Sequence, residues 1–159
     1  MVTSTLTLTS RAFIANGSIP SKYTCDENRS LSPPLSIAGV PATAKSLVLI
    51  MDDPDVPKQL RPDGVFDHWT LFNIPASTRE IPEGGSVGIA GANGAGNNAY
   101  TGPCPPPQYE PSEHRYVFTL YALDRMLALQ AGASKKEIKA AMQGHILDQT
   151  QLIGKYKRK

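Results

Sequence analysis

Three aspartates and two prolines follow an apolar run near residue 50. The run Ser-Leu-Val-Leu-Ile-Met at 46–51 predicts a buried strand, and the segment after it, 52–57, reads Asp-Asp-Pro-Asp-Val-Pro. Proline fixes φ near about −65° and removes an amide donor, so Asp53 and Asp55 are carried on a stiff backbone. Such a segment suits a binding site, but it equally suits turns that aspartates cap, and these residues alone leave both interpretations open.

Two later segments place a histidine at the mouth of a predicted strand. His68 opens the alternating run that ends at residue 74, and His114 opens another run over 115–123. A lone histidine at a strand end is usually a hydrogen-bonded structural residue. Because two of the three histidines have this placement and an aspartate cluster accompanies them, a purely structural role is less convincing for this pair.

A proline-rich segment precedes the second of these strands. Residues 102–107 read Gly-Pro-Cys-Pro-Pro-Pro, which cannot join the middle of a sheet because proline lacks the backbone donor. The segment therefore predicts a rigid wall of extended, polyproline-like backbone.

Taken in order, these segments resemble the phosphatidylethanolamine-binding protein family, which includes the Raf kinase inhibitor proteins, and in particular its short bacterial and archaeal branch. The resemblance rests on Asp-Pro-Asp-Val-Pro at 53–57, His-Trp at 68–69, Gly-Pro-Cys-Pro-Pro at 102–106 and His-Arg-Tyr at 114–116. It implies a mainly β fold, an antiparallel Greek-key β-sandwich with a few short peripheral helices, including one or two near the C-terminus.

The same resemblance implies a small anion-binding pocket. The ligand-binding residues that it assigns are Asp53, His68, Pro106, His114 and Tyr116, and we expect His114 at the rim of that pocket. The supporting residues are Asp55, Trp69, Gly102, Pro103 and Arg115. The chain departs from the family pattern in the loop 25–33, which lacks a glycine and carries an extra residue, and in the longer link 108–113. We therefore expect a pocket rim of altered shape.

These residue types predict anion binding. Imidazole N–H groups and a tyrosine hydroxyl can donate to a phosphate, sulfate or carboxylate, while Asp53 accepts from a histidine and fixes its tautomer. We expect a non-enzymatic protein without cofactor or metal, whose ligand is a small phosphorylated or carboxylate compound or a phospholipid head group. The resemblance also allows a kinase or protease partner, and a homodimer stays open. The alternative is a metal-dependent hydrolase or oxygenase that uses the His/Asp cluster.

Composition restricts the class of protein. A chain of 159 residues with 40% hydrophobic and 19% charged residues predicts one folded domain over 1–159. A net charge of +2 gives no field that favours nucleic acid, and the basic end at 155–159 is interpreted as a solvated tail. No secretory signal or 18-residue apolar stretch is present, which predicts a cytoplasmic protein.

The two cysteines, Cys25 and Cys104, are then expected to be reduced by default. The family resemblance brings both of their segments toward the same end of the molecule, so a disulfide between them also stays open.

Further elements complete the prediction. Alternation predicts a strand at 5–9, and the glycine-rich stretch 84–102 is typical of a surface loop with brief strands. Ser134 and Glu137 form a capping box for a helix whose apolar positions continue to Leu147, with Gly144 dividing it in two. We interpret His145 as a packed, hydrogen-bonded residue of this region.

Overall fold

The computed structural model describes residues 4–159, which form two antiparallel sheets and one α-helix. The smaller sheet contains β1 (Thr7–Thr9), β2 (Leu35–Ala38) and β5 (Glu80–Ile81). The larger sheet contains β3 (Ser46–Asp53), β4 (Phe66–Pro75), β6 (Ile89–Ala90), β7 (Glu113–Leu123) and β8 (Ile146–Lys157). The helix α1 spans Lys135–Met142, and a 3₁₀ turn spans Ser21–Tyr23. No helix within 4–159 is long and apolar enough to cross a membrane.

The larger sheet has the strand order β6-β4-β3-β7-β8. The chain leaves β4 on one side of β3 and returns as β7 on the other side, which is the long connection typical of a Greek-key sandwich. The predicted mainly β, antiparallel sandwich fold is therefore confirmed.

The central strand β3 is buried on both faces. Leu47, Leu49 and Met51 point into the core between the two sheets, whereas Val48 and Ile50 pack beneath α1 on the outer face. This double burial explains why the sequence of β3 is a continuous apolar run rather than an alternating one.

Two adjacent carboxylates at the end of β3 follow the same alternation. Asp53 belongs to the inner side, whereas Asp52 lies on the outer side, where its Oδ2 is 3.4 Å from Nζ of Lys135 on α1. The same ammonium group lies 2.5 Å from Oδ1 of Asp67 on β4. Burial raises the pKa of Asp52, and the Lys135 charge opposes that rise.

The C-terminal region differs from its prediction. The capping box of Ser134 and Glu137 is present, but the helix ends at Met142, and Gly144 takes the left-handed φ of +82°. Residues 146–157, including Ile146 and Leu147, instead form β8, which pairs with β7 along its whole length. One helix near the C-terminus is present, within the one or two expected, but the predicted helical continuation to Leu147 is wrong, because pairing with β7 outweighs the local helical spacing.

The basic end is not a free tail. Residues 155–157 belong to β8, and the Arg158 guanidinium donates to Oδ1 of Asp26 at 2.9 Å. The prediction that His145 is packed and hydrogen-bonded is confirmed only in part. His145 is hydrogen-bonded to Asp124 at 2.9 Å, but it is half-buried at the surface.

Cys25 and Cys104 form a disulfide with a Cα–Cα distance of 5.4 Å. The expectation of reduced thiols is therefore wrong, whereas the proximity of the two segments is confirmed. The Cys25 amide also donates to the Pro103 carbonyl, so the loop after residue 25 and the proline wall are joined by both a covalent bond and a hydrogen bond.

Candidate functional site

The candidate site forms where three strand ends meet. Strand β3 is antiparallel to both β4 and β7, so its C-terminal end lies beside the N-terminal ends of those two strands. The pairing sets Asp53 opposite Phe66 at this edge. His68 near the start of β4 and His114 near the start of β7 are brought to the same edge, as the sequence predicts.

These residues line a cavity of about 430 Å³. Its polar lining comes mainly from Arg29, Asp53, Arg61, His68 and His114. Its apolar lining comes from Val56, Leu60, Phe66, Ala95, Pro105 and Pro106. A cavity of this size falls within the range of about 300–1,000 Å³ that holds small organic ligands, and it exceeds the needs of one simple anion.

The Asp53–His114 pair forms the buried centre of the site. Oδ2 of Asp53 lies 2.6 Å from Nδ1 of His114, and the two residues are only 3% and 1% exposed. The other carboxylate oxygen accepts from the amide of Asp55 at 2.8 Å. Both oxygens of Asp53 are thus engaged by protein donors, and the proton of His114 is held on Nδ1.

His114 retains an unused polar atom. Its Nε2 is buried and makes no hydrogen bond of good geometry within residues 4–159, although the nearby Pro111 backbone helps to raise the pKa of the ring. Burial lowers the pKa of His114, but the hydrogen bond and charge of Asp53 outweigh burial, so the pKa lies above its ordinary value. When His114 is protonated, Nε2 becomes a buried N–H donor, which suits an anion. The predicted rim position of His114 is wrong, because the residue is fully buried.

The pKa of His68 is shifted in the opposite direction from that of His114. Its Nδ1 lies 2.6 Å from the Thr101 carbonyl, which can only accept, so Nδ1 carries the proton. Burial lowers the pKa of His68, although the bond to Thr101 opposes this effect. Neutral His68 therefore offers a lone pair on Nε2, and protonation would convert that atom to a donor.

Tyr116 lies beneath the cavity rather than on its lining. The residue is fully buried, and its ring centroid is 5.2 Å from that of His68 and 6.4 Å from that of His114. Its hydroxyl makes no hydrogen bond of good geometry to the described part of the chain. Burial first, and the Asp53 charge second, raise the pKa of Tyr116, so the phenol stays protonated.

Of the predicted supporting residues, Asp55, Arg115 and Trp69 lie outside the cavity lining, whereas Gly102 and Pro103 belong to the proline wall. Asp55 braces the start of β7, because its carboxylate accepts from the Arg115 backbone amide at 2.9 Å and from its guanidinium at 2.8 and 3.0 Å. The Arg115 side chain is 54% exposed and does not line the cavity. Trp69 also lies outside the lining, since it is buried in the core against Tyr100.

Gly102 and Pro103 shape the wall. The Gly102 amide donates to the Arg29 carbonyl at 2.7 Å. A Cβ at position 102 would lie 2.2 Å from the Tyr23 carbonyl oxygen, so only glycine permits this approach. Gly102 and Pro106 line the cavity, while Pro103 supports the wall through its bond with Cys25.

Two arginines of the cavity were missed by sequence reasoning. Arg61 stacks over Phe66 at 4.5 Å and donates to the Gly94 carbonyl at 2.9 Å. Arg29 comes from the loop 25–33, whose departure from the family pattern was the available signal. Nothing local in the sequence distinguishes Arg61 from other surface arginines.

Metal binding finds no support in the described residues. Within 4–159, no group of three or more His, Cys, Asp or Glu side chains converges as ligands for a metal ion. The two Nδ1 atoms of the site histidines are already engaged by Asp53 and Thr101.

Comparison with known proteins identifies the family of this chain. A sequence model of the phosphatidylethanolamine-binding protein family matches residues 9–157. The chain belongs to this family. It is 46% identical to a UPF0098 protein of Methanothermobacter thermautotrophicus, over 96% of this chain and 99% of that relative.

Solved structures of the phosphatidylethanolamine-binding protein family share the fold. A homolog from Chlamydia trachomatis superimposes with a TM-score of 0.92 at 41% identity, covering 99% of this chain and all of that one. Escherichia coli YbcL gives a TM-score of 0.85 over 98% of this chain and all of its own, and its 23% identity supports the fold alone.

Proposed function

We propose that this phosphatidylethanolamine-binding protein family member is a non-enzymatic binding protein whose cavity takes the phosphoryl group of a small phosphate ester or of a phospholipid head group. The observation that carries the proposal is the Nε2 atom of His114, a buried polar atom without a well-formed hydrogen bond among residues 4–159, beside a cavity that His68 also lines. A buried donor without a partner costs about 1–3 kcal/mol, and a bound anion would remove that cost.

The charge of the site supports an anion rather than a cation. One carboxylate, Asp53, lines the cavity together with two guanidinium groups, Arg29 and Arg61. The Asp53 oxygens already accept from His114 and Asp55, so the carboxylate is engaged with protein donors. Charge-assisted hydrogen bonds in such an enclosed site are stronger than neutral ones.

The apolar lining supports a ligand with an organic part. Phe66, Pro105 and Pro106 contribute apolar surface beside the histidines, which suits the carbon atoms of an ester. A phosphorylated or acidic side chain of a kinase or protease has the same chemistry, and such a protein partner stays a prediction.

Calorimetric titration with O-phosphorylethanolamine tests the proposal. The His68→Gln variant would lose one charge-assisted hydrogen bond to the ligand. We therefore expect it to bind about ten- to a hundredfold more weakly, equivalent to about 1.5–3 kcal/mol. His145→Gln is the matched control, since His145 contacts Asp124 and lies outside the cavity lining. A thermal melt of each variant checks that the fold is retained.

A second arm separates the two sources of the phosphoryl group. Co-sedimentation with phosphatidylcholine vesicles, with and without phosphatidylethanolamine, measures binding to a head group held in a membrane. Binding to the free ester but not to vesicles assigns the site to soluble ligands. Equal affinity of wild type and His68→Gln for the free ester would overturn the proposed pocket.

A further inference from the structure

The cavity carries its basic side chains at two depths. His68 and His114 are buried, whereas Arg29 is exposed and Arg61 is half-buried. All four line the same cavity. The histidines therefore form an inner set of donors, and the guanidinium groups form an outer set nearer to solvent.

Neither outer guanidinium is neutralised by a carboxylate. In the part of the chain that the structure describes, Arg115 and Arg158 form ion pairs with Asp55 and Asp26, but no ion pair involves Arg29 or Arg61. A guanidinium group has five N–H donors, and the side-chain hydrogen bond of Arg61 goes to the Gly94 carbonyl. Most of the donor capacity of both groups thus remains available to a ligand.

Protein contacts limit the position of these arginines. Arg61 is fixed by its stacking on Phe66 and by its bond to Gly94. The backbone of Arg29 is tied to the proline wall, because its carbonyl accepts from Gly102 and the disulfide of Cys25 lies four residues away. The guanidinium group of Arg61 is therefore pre-organised and can bind an oxyanion with little loss of side-chain entropy, whereas at Arg29 the backbone is anchored and the side chain is exposed.

The size of the cavity leaves room for more than one anionic group. At about 430 Å³, it matches a small organic ligand, and apolar side chains such as Phe66, Leu60 and Pro106 lie along it. A ligand with a single phosphoryl group on the histidines would leave the two guanidinium groups without an anionic partner.

We propose that the cavity selects small ligands with two linked anionic groups, one bound by the inner histidines and the other by Arg29 and Arg61. This inference rests on the proposed function, because it takes the phosphoryl group at the histidines as its starting point. Diphosphate esters and compounds that combine a phosphate with a carboxylate belong to this chemical class.

The test compares inorganic phosphate with methylenediphosphonate, which joins two anionic groups through a stable P–C–P linkage. Both are titrated calorimetrically into wild type, Arg29→Gln and Arg79→Gln at one pH and one ionic strength. Arg79 is a matched control because it is exposed and its guanidinium donates to backbone carbonyls of Ala76 and Thr78. Both substitutions remove one positive charge, so their difference reports position rather than net charge.

We expect wild type to bind methylenediphosphonate at least about tenfold more tightly than phosphate, the change expected for one added charge-assisted contact. Arg29→Gln should lower the affinity for methylenediphosphonate about tenfold more than the affinity for phosphate. Arg79→Gln should not change the ratio of these two affinities. Thermal melts confirm that each variant is folded.

The results distinguish a failure of the two-anion inference from a failure of the proposed function. If phosphate binds but wild type shows no preference for the diphosphonate, the two-anion inference is wrong and the proposed function stands. The same conclusion follows if Arg29→Gln weakens both probes equally, or if Arg79→Gln acts like Arg29→Gln. If neither probe nor O-phosphorylethanolamine binds, the proposed function itself fails.

Discussion

Nδ1 of His114 lies 2.6 Å from Oδ2 of Asp53, and both side chains are almost completely removed from solvent. A buried pair of this kind is costly to break from one side only, because the remaining partner keeps its desolvation cost without its hydrogen bond. Stability and the proposed ligand binding would therefore depend on the same two residues.

A double-mutant cycle on this pair should show strong coupling. We expect Asp53→Ala and His114→Ala each to lower the free energy of unfolding by about 3–5 kcal/mol, since each leaves a buried partner alone. The double variant should lose less than the sum, with a coupling energy of about 1–3 kcal/mol. Urea unfolding of the four proteins measures all terms, and additive losses would show that the pair is energetically unimportant.

The coupling should also depend on pH with a defined sign. The pKa of His114 is raised in the folded protein, so the folded state binds this proton more tightly than the unfolded chain. The resulting stabilisation is complete below about pH 6.5, the unperturbed value, and is lost as the pH rises through the folded-state pKa. The coupling energy at pH 6 should therefore exceed that at pH 9.

Removing the Tyr116 hydroxyl should not destabilise the fold. The hydroxyl is buried and makes no well-formed hydrogen bond to residues 4–159, so Tyr116→Phe removes a desolvated polar group and keeps the packed ring. We expect the free energy of unfolding to stay level or to rise by up to about 1–3 kcal/mol. Tyr100→Phe is a matched comparison, because its hydroxyl donates to the Tyr23 carbonyl at 2.9 Å, and it should lose about 1 kcal/mol. A clear loss of stability in Tyr116→Phe would reveal a hydrogen bond to that hydroxyl in solution.

Anion binding should tighten as the pH falls below about 6.5. Neutral His68 presents an acceptor at Nε2, because Nδ1 donates to Thr101, and only the protonated ring can donate to an anion there. Burial lowers the pKa of His68, so the free protein is not protonated at this site near neutral pH. Sulfate is a suitable probe because its charge does not change in this range.

Calorimetry from pH 5 to 8 measures the effect. We expect sulfate affinity to rise by up to about tenfold per pH unit of acidification, as linkage to one proton requires. His68→Gln should abolish the part of this slope below about pH 6.5, because the pKa of His114 lies above its ordinary value and protonation of that ring governs the range above it. A wild-type affinity that does not vary with pH would mean that sulfate binds without protonating His68.

Reduction of the disulfide should weaken the fold. Cys25 and Cys104 close a loop with a sequence separation of 79, and their loss should lower the free energy of unfolding by about 2–4 kcal/mol. Urea unfolding with and without dithiothreitol provides the measurement. The Cys25→Ser/Cys104→Ser double variant is the control, since its midpoint should not respond to reductant and should match that of reduced wild type.

Much of the site could be predicted from sequence because its histidines and aspartates stand at the ends of strongly patterned strands. Asp53, His68 and His114 converge as expected, since an antiparallel partner on each side of β3 brings those strand ends together. The outer arginines could not be found in this way. The positions of Arg29 and Arg61 depend on how loops fold against the wall, and charge patterning does not encode such contacts.

The C-terminal strand shows the limit of local pattern for the fold. Ile146 and Leu147 continue the spacing of α1, so a helical continuation was the natural prediction. Pairing with β7, which lies more than 20 residues earlier, is a tertiary interaction that overrides this local preference. The disulfide also depends on tertiary structure rather than on local pattern, because its two cysteines meet only after the loop 25–33 and the proline wall have packed together.

The neighbouring residues Asp52 and Asp53 point to opposite faces of β3, one toward Lys135 and the other toward His114. Sliding β3 by one residue in either direction would leave a carboxylate beside only one of these two groups, and the other would face Met51 or Pro54 instead. These two ion pairs, one on each face of the sheet, thus favour the observed register of β3 over a register shifted by one residue. An inserted or deleted residue within β3 would therefore break one of the two pairs, even though the apolar side chains of the strand are nearly interchangeable.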